Sequence, residues 1–178
     1  MSQSPSLGRG RHRTPGGQVC VMELVSVLSG EPWSDHPRCV DPVLAAVART
    51  VNDAVTAAAR EQLAALAPQM IGTAPSSAAT AARLVARCAA TALKRPPRDE
   101  SLRYALEWDL RNAHRRLRRG PKPAARRWAG LLERLYVHSA AMRVVVAVRA
   151  ATAHTPDDEL LALLRECIAD LRAPSFEG

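Results

Sequence analysis

The chain has 178 residues, 25 Lys and Arg against 17 Asp and Glu for a net charge of +8, and only six aromatic side chains. A domain of this length buries roughly 70% of the surface its unfolded form exposes, so its core needs no disulfide staples. With 47% of residues apolar and few aromatics, that core is built from Leu, Val and Ala, which favours closely packed helices.

Residues 1–17 mix Ser, Gly, Pro and Arg without periodicity and read as a disordered basic tail. From Val19 to Ser29 the run VCVMELVSVLS is apolar apart from Glu23 and two serines, and Gly30 then Pro32 end it, as at a helix C-terminus. Its length also fits a strand. Asp41 and Pro42 suit N-cap and N1, and Leu44, Val47, Val51, Val55 and Ala58 recur at helical spacing. The pattern runs to about Ile71, with a break expected near Ala59 or at Pro68, and Gly72 closes it.

Ser76 or Ser77 caps a third helix, which Pro96 and Pro97 terminate. After Asp99, the positions Leu102, Leu106, Leu110, Ala113 and Leu117 form one stripe opposite a charged face that includes Arg103, Arg111 and Arg115. Gly120, Pro121 and Pro123 make a turn. Trp128, Leu131, Leu132, Leu135, Met142 and Val145 then line up as the apolar face of the following helix. Its β-branched run at 144–148 also fits a strand, although a lone strand there lacks a partner. Thr155 caps the last helix, with Pro156 at N1, acids 157–159 at the positive dipole end, and Leu160, Leu163, Leu164, Cys167, Ile168 and Leu171 facing inward. The expected architecture is therefore all-α: one compact bundle of about six helices over 18–178, preceded by the tail.

No apolar run approaches 18 residues, since Val144 to Val148 lies between Arg143 and Arg149, so no membrane insertion is expected. The basic amino terminus has no apolar segment behind it and does not read as a signal peptide. A cytoplasmic protein with reduced thiols is the expectation for Cys20, Cys39, Cys88 and Cys167.

The charge is regional. From Lys94 to Arg134 there are thirteen basic and five acidic residues, the tail adds Arg9, Arg11 and Arg13, and the remainder is slightly acidic. The densest stretch, residues 112–128, carries Arg115, Arg116, Arg118, Arg119, Lys122, Arg126 and Arg127 at the junction of two helices, with His114 beside them. A helical hairpin with seven cations at its tip is an electrostatic footprint for a phosphate backbone or an acidic protein partner. Zinc-finger and RNP patterns are lacking, and aromatics for base stacking are few, so any nucleic-acid contact would be mainly non-specific. The plainer reading is an arginine-biased helix end stabilised by the helix dipole. The chain has 23 Arg and two Lys, a bias that a GC-rich genome produces without any binding role.

A second candidate lies in the block CVMELVSVLSGEPWSDHPRC. Cys20 and Glu23, like His36 and Cys39, are three residues apart, and a turn between them would bring the four together as a zinc site. The recurring Cys-x2-Cys or His-x3-His pairs of strong zinc sites are missing. An enzymatic version uses Glu23, Asp35 and His36 as acid–base groups, or Cys20 as a nucleophile beside His36. The structural alternative buries both cysteines as small apolar residues, with Glu23 satisfied internally, Trp33 sealing the core, Asp35 capping a turn and Pro37 fixing the entry to the next helix. Asn52 and Asp53 read as a solvated face, with a polar partner for this site as the alternative. His138 and His154 suit core or capping roles, and Cys88 and Cys167 read as packing residues.

That block, with VNDA at Val51 to Ala54 and MIGTA at Met70 to Ala74, resembles a segment at the start of a family of uncharacterised helical proteins from GC-rich actinobacteria. The resemblance covers about the first third of the chain. It implies no particular activity, but it implies that the Cys20 to Cys39 block belongs to a domain. Nucleotide-loop, zincin and hydrolase-elbow motifs are absent. The sequence thus points to a binding or interaction protein that uses the arginine-rich hairpin, with a Cys20/Glu23/His36/Cys39 metal or acid–base site as the alternative.

Overall fold

The computed structural model describes residues 6–12, 17–119 and 126–173, and for 126–129 the backbone alone. Eight helices carry the described chain: α1 (Val21–Leu28), α2 (Pro42–Ala54), α3 (Ala57–Ala64), α4 (Ala67–Met70), α5 (Ala78–Lys94), α6 (Glu100–Arg119), α7 (Arg126–Thr152) and α8 (Asp157–Arg172). Two short strands, β1 (Ser6–Leu7) and β2 (Gln18–Val19), pair in parallel with Leu7 opposite Val19. The expected helical character holds, and the 144–148 run is helix throughout. The count differs from six because the region 42–71 is three helices.

The break inside that region falls at Val55, earlier than the spacing suggested. Val55 is extended and Thr56 caps α3 by accepting from Ala59 N. The last carbonyls of α2 are not left bare: Arg60 donates through Nε to Asn52 O at 3.0 Å and through Nη2 to Val55 O at 2.9 Å. An arginine answering helix-terminal carbonyls satisfies groups with no intrahelical partner. Gly30 and Gly72, at φ +72° and +81°, end α1 and follow α4 in the left-handed region that a glycine adopts without strain.

Other boundaries follow local chemistry. Asp41 Oδ1 accepts from Val43 N at 2.8 Å and Leu44 N at 3.0 Å, with Pro42 at N1. Ser77 and Thr80 form a capping box on α5, and Asp99 Oδ1 accepts from Ser101 N and Leu102 N ahead of α6. Helix α8 starts one residue later than expected: Pro156 takes the cap position without a side-chain bond, and Thr155 is buried. Because Asp41 is itself fully buried, Asp41→Ala should cost about 2 kcal/mol, the upper end for losing a cap. Urea unfolding at constant m-value measures it.

The core is one connected cluster in which α5 packs along both α6 and α7, and α2 packs on α7. Alanine sets the spacing, with Ala45, Ala46, Ala48, Ala81, Ala82, Ala89, Ala92, Ala140, Ala147 and Ala151 all buried. Helices that meet through such small side chains approach closely, and this replaces aromatic filling. The stripe foreseen for α6 faces inward: Leu106 and Ala113 are buried, and Leu102, Leu110 and Leu117 pack against the core.

On α7 the expected face is the wrong one. Helix α7 buries Ala140, Val144, Ala147, Val148 and Ala151, while Leu131, Leu132, Leu135 and Met142 remain 48% to 62% exposed. Val145 packs only partly, and the side chain of Trp128 lies outside the described residues. The smaller residues turn inward because their stripe fits against α2 and α5, whereas the bulky stripe lies on the far side of the helix and stays largely exposed.

Part of the expected disordered tail is held against the body. Gly8 N donates to Val19 O, Asn52 Nδ2 to Gly8 O at 2.8 Å, and Gly10 N to Asp53 Oδ1 at 2.8 Å. Asn52, read as solvated, is fully buried because it serves this segment. Residues 1–5 and 13–16, also assigned to the tail, lie outside the described residues.

Candidate functional site

The four residues expected to meet around zinc are divided among three separate pairings. Cys20 is the N-cap of α1 and Glu23 its N3 residue, forming a reciprocal capping box: Cys20 N donates to Glu23 Oε2 at 2.7 Å and Glu23 N to Cys20 Sγ at 3.4 Å. Glu23 is fully buried, and its other partner is His12, through His12 N to Oε1 at 2.6 Å and Nδ1 against Oε2 at 3.0 Å. His36 is exposed and pairs through Nδ1 with Asp35 Oδ1 at 2.9 Å. Cys39 sits against Glu31, whose carboxylate accepts from the backbone N–H groups of Arg38 and Cys39.

Among the described residues, no group of three or more His, Cys, Asp and Glu side chains is placed to hold a metal ion. The donors do not fit zinc: Glu23 is consumed by internal hydrogen bonds, and burial, aided by the Glu23 charge, pushes the Cys20 thiol up to about 11. A thiol so far from ionisation is also a poor nucleophile. Glu23 and His36 share no hydrogen bond, so the acid–base pairing lacks its geometry. Partial burial works to raise the Asp35 carboxyl, but the His36 hydrogen bond and charge, with Arg11, outweigh it and hold Asp35 below the usual range. Trp33 packs on the core and donates through Nε1 to His12 O, so the indole anchors the same segment that Glu23 holds. The pairing of Glu23 with His12 gave no sequence signal, because His12 sits in an aperiodic stretch.

The arginine-rich hairpin is the second site. Helices α6 and α7 run antiparallel, with Arg143 Nε 3.5 Å from Asp109 Oδ1 and the Arg116 guanidinium 4.0 Å above the Tyr136 ring. Arg143 also lies 5.5 Å from the Trp108 ring and 5.9 Å from that of Tyr136, so cations and rings alternate along the seam. Such contacts add to packing where the ring is partly shielded from water. Burial raises the Asp109 carboxyl despite Arg143, and burial likewise raises Tyr136.

Arg115, Arg116, Arg118 and Arg119 are exposed on the last turns of α6. Arg126 and Arg127 lie on the first turn of α7, where only the backbone is described, and Lys122 lies outside the described residues. Their setting differs from that of the arginines on the body. Arg87 is held by Asp170 and Glu166, each at 2.6 Å, and Arg95 by Glu159 at 2.7 Å. No carboxylate among the described residues lies within ion-pair distance of Arg115, Arg116, Arg118 or Arg119. The sequence gives the reason: from Leu110 to Leu132 there is no Asp or Glu at all. Next to this tip, Leu131, Leu132 and Leu135 are exposed, and Trp108 and Tyr104 are exposed on α6.

Cys88 and Cys167 are buried packing residues, as expected, and all four cysteines are free thiols. His138 and His154 are exposed, which removes the core half of the core or capping roles expected for them; His154 N donates to Ala151 O just past the end of α7. No helix among the described residues is long and apolar enough to cross a membrane. No protein-family model, no curated protein and no solved structure matches the chain.

Proposed function

We propose that the protein is a non-enzymatic interaction module whose α6–α7 hairpin takes an acidic, amphipathic segment of a partner protein. The observation that carries this reading is that exposed arginines with no carboxylate partner among the described residues end α6, while an exposed apolar stripe runs along α7. A phosphate backbone has a use for the arginines but none for Leu131, Leu135 and Met142, whereas an acidic helix with one leucine face uses both. The charge is complementary and the apolar face supplies the anchor, which is how helix-in-groove contacts divide their work.

A fluorescent helical peptide of about 20 residues, Glu on one face and Leu on the other, serves as the probe. Its binding should weaken at least tenfold when Arg115, Arg116, Arg118 and Arg119 are all changed to Gln, about 1.4 kcal/mol or more. A DNA duplex of about 20 base pairs provides the contrast, with its steep salt dependence. Peptide affinity unchanged in the quadruple variant refutes the proposal. Tight duplex binding with no peptide binding would give the hairpin to nucleic acid instead.

A further inference from the structure

A cavity of about 410 Å³ lies between the amino-terminal segment, the loop before α2, α2 itself and the end of α7. Its polar lining is Arg11, Asp35, Arg49, Asp53 and Arg149, and its apolar wall includes Ala46, Ala54 and Val145. Arg115, Arg116, Arg118 and Arg119 of the hairpin are not among its lining residues.

The two carboxylates are already engaged. Asp35 Oδ1 is paired with His36 at 2.9 Å and lies 3.5 Å from Arg11, while Asp53 Oδ1 accepts from Gly10 N and from Asn52 Nδ2. The hydroxyls of Thr50 and Thr152, also in the lining, donate to Ala46 O and Arg149 O of their own helices. With Arg11 spent on Asp35, the guanidinium groups of Arg49 and Arg149 are the ones with donors to spare. Arg49, half-buried on α2, spends one Nη1 bond of 2.7 Å on Asp35 O, and no carboxylate among the described residues lies within ion-pair distance of Arg49 or Arg149. Burial makes the Arg49 charge costly enough to lower its affinity for its proton, even with Asp35 and Asp53 near.

A partly desolvated arginine with spare donors facing a cavity gains from an acceptor that offers two oxygens in its plane. Three cations against two carboxylates leave the lining with a net positive charge. The spare bonding capacity is of the donor type, and the apolar wall leaves room for a short hydrocarbon body. We propose that this cavity binds a small organic carboxylate, gripped by Arg49 and Arg149 with its apolar part against Val145 and Ala54. Phosphate is the weaker match: the guanidinium groups would accept either head, but phosphate has no hydrocarbon body for the wall of Ala46, Ala54 and Val145. Sequence spacing does not reveal the site, because its residues come from four separated segments. Arg49, the one charged residue between Asp41 and Asp53, is a local trace of it.

The test is a titration of the full chain with sodium benzoate, with benzyl alcohol and inorganic phosphate as parallel arms, followed through the methyl resonances of Val145 and Thr152. Benzoate should shift both saturably with a Kd of about 1 mM, and benzyl alcohol should not. R49Q and R149Q should each weaken benzoate at least tenfold; R149Q, at an exposed position, decides the matter if R49Q fails to fold. The hairpin quadruple Gln variant should bind benzoate normally, which separates this site from the hairpin proposal. Absence of saturation up to about 20 mM, equal binding of benzyl alcohol, binding of phosphate alone, or normal binding by R149Q overturns the inference.

Discussion

Replacing Glu23 with alanine should lower the unfolding free energy by about 3 kcal/mol, and the thermal midpoint by roughly 6 to 12 °C for a chain of this size. One buried carboxylate answers three donors, the backbone N–H groups of Cys20 and His12 and the His12 ring. Each buried N–H left bare costs about 1 to 3 kcal/mol, and solvent reaches this spot poorly because Glu23 and Cys20 are buried. Glu23→Gln keeps one acceptor oxygen but turns an amide NH2 toward a donor, so its cost should fall between that of the alanine variant and that of His12→Ala. His12→Ala removes only the ring partner and should cost about 1 kcal/mol. The effect should also be local. The segment over residues 6–12 rests on Glu23, Asn52, Asp53 and the Trp33 contact, so amide exchange at Gly8 and Gly10 and tryptic cleavage after Arg9 and Arg11 should rise sharply in the alanine variant. A midpoint within about 2 °C of the unsubstituted protein, with unchanged exchange at Gly10, would show that Glu23 is not the anchor.

The contrast between this anchor and the helix caps explains what the sequence disclosed. Asp41 with Pro42, and the serine pair at 76 and 77, announce their helices because a cap is a bond between a side chain and a backbone two or three residues away. Any such pairing is visible in a short window. Glu23 and His12 are eleven residues apart across an aperiodic stretch, and Asn52 meets Gly8 over 44 residues. No window holds these pairs together. The apparent zinc spacing misled for a related reason: Cys20-x2-Glu23 is a capping box with sulfur in the place of the usual hydroxyl, and N-cap to N3 spacing equals one common ligand spacing.

The basic hairpin was legible because charge density is additive along a chain and needs no partner to be recognised. The inward face of α7 was not. Periodicity finds faces on a helix but does not say which one is covered, and α7 carries two of them, a leucine and methionine stripe and an alanine and valine stripe. Choosing the bulkier stripe as core follows transfer free energy per side chain. The fold follows the shape of the space between α2 and α5, where only small side chains fit.

That choice has a large and separable consequence for binding. Changing Leu131, Leu135 and Met142 together to Gln should leave stability almost untouched, within about 0.5 kcal/mol per site, because these side chains are already 48% to 62% exposed. On the same helix, Val144→Thr has almost the same shape but places a hydroxyl in a fully buried position, and should cost about 2 kcal/mol. Binding of the acidic amphipathic peptide should respond in the opposite order. Covering the remaining exposed half of three such side chains is worth about 1 kcal/mol each, so the triple variant should lose affinity by roughly a hundredfold while Val144→Thr binds normally below its melting range. Chemical denaturation and peptide titration on the same samples separate the outcomes. A triple variant destabilised as much as Val144→Thr would mean that the chain itself covers this stripe, and a triple variant with unchanged stability and unchanged affinity would leave the arginines as the whole of the contact.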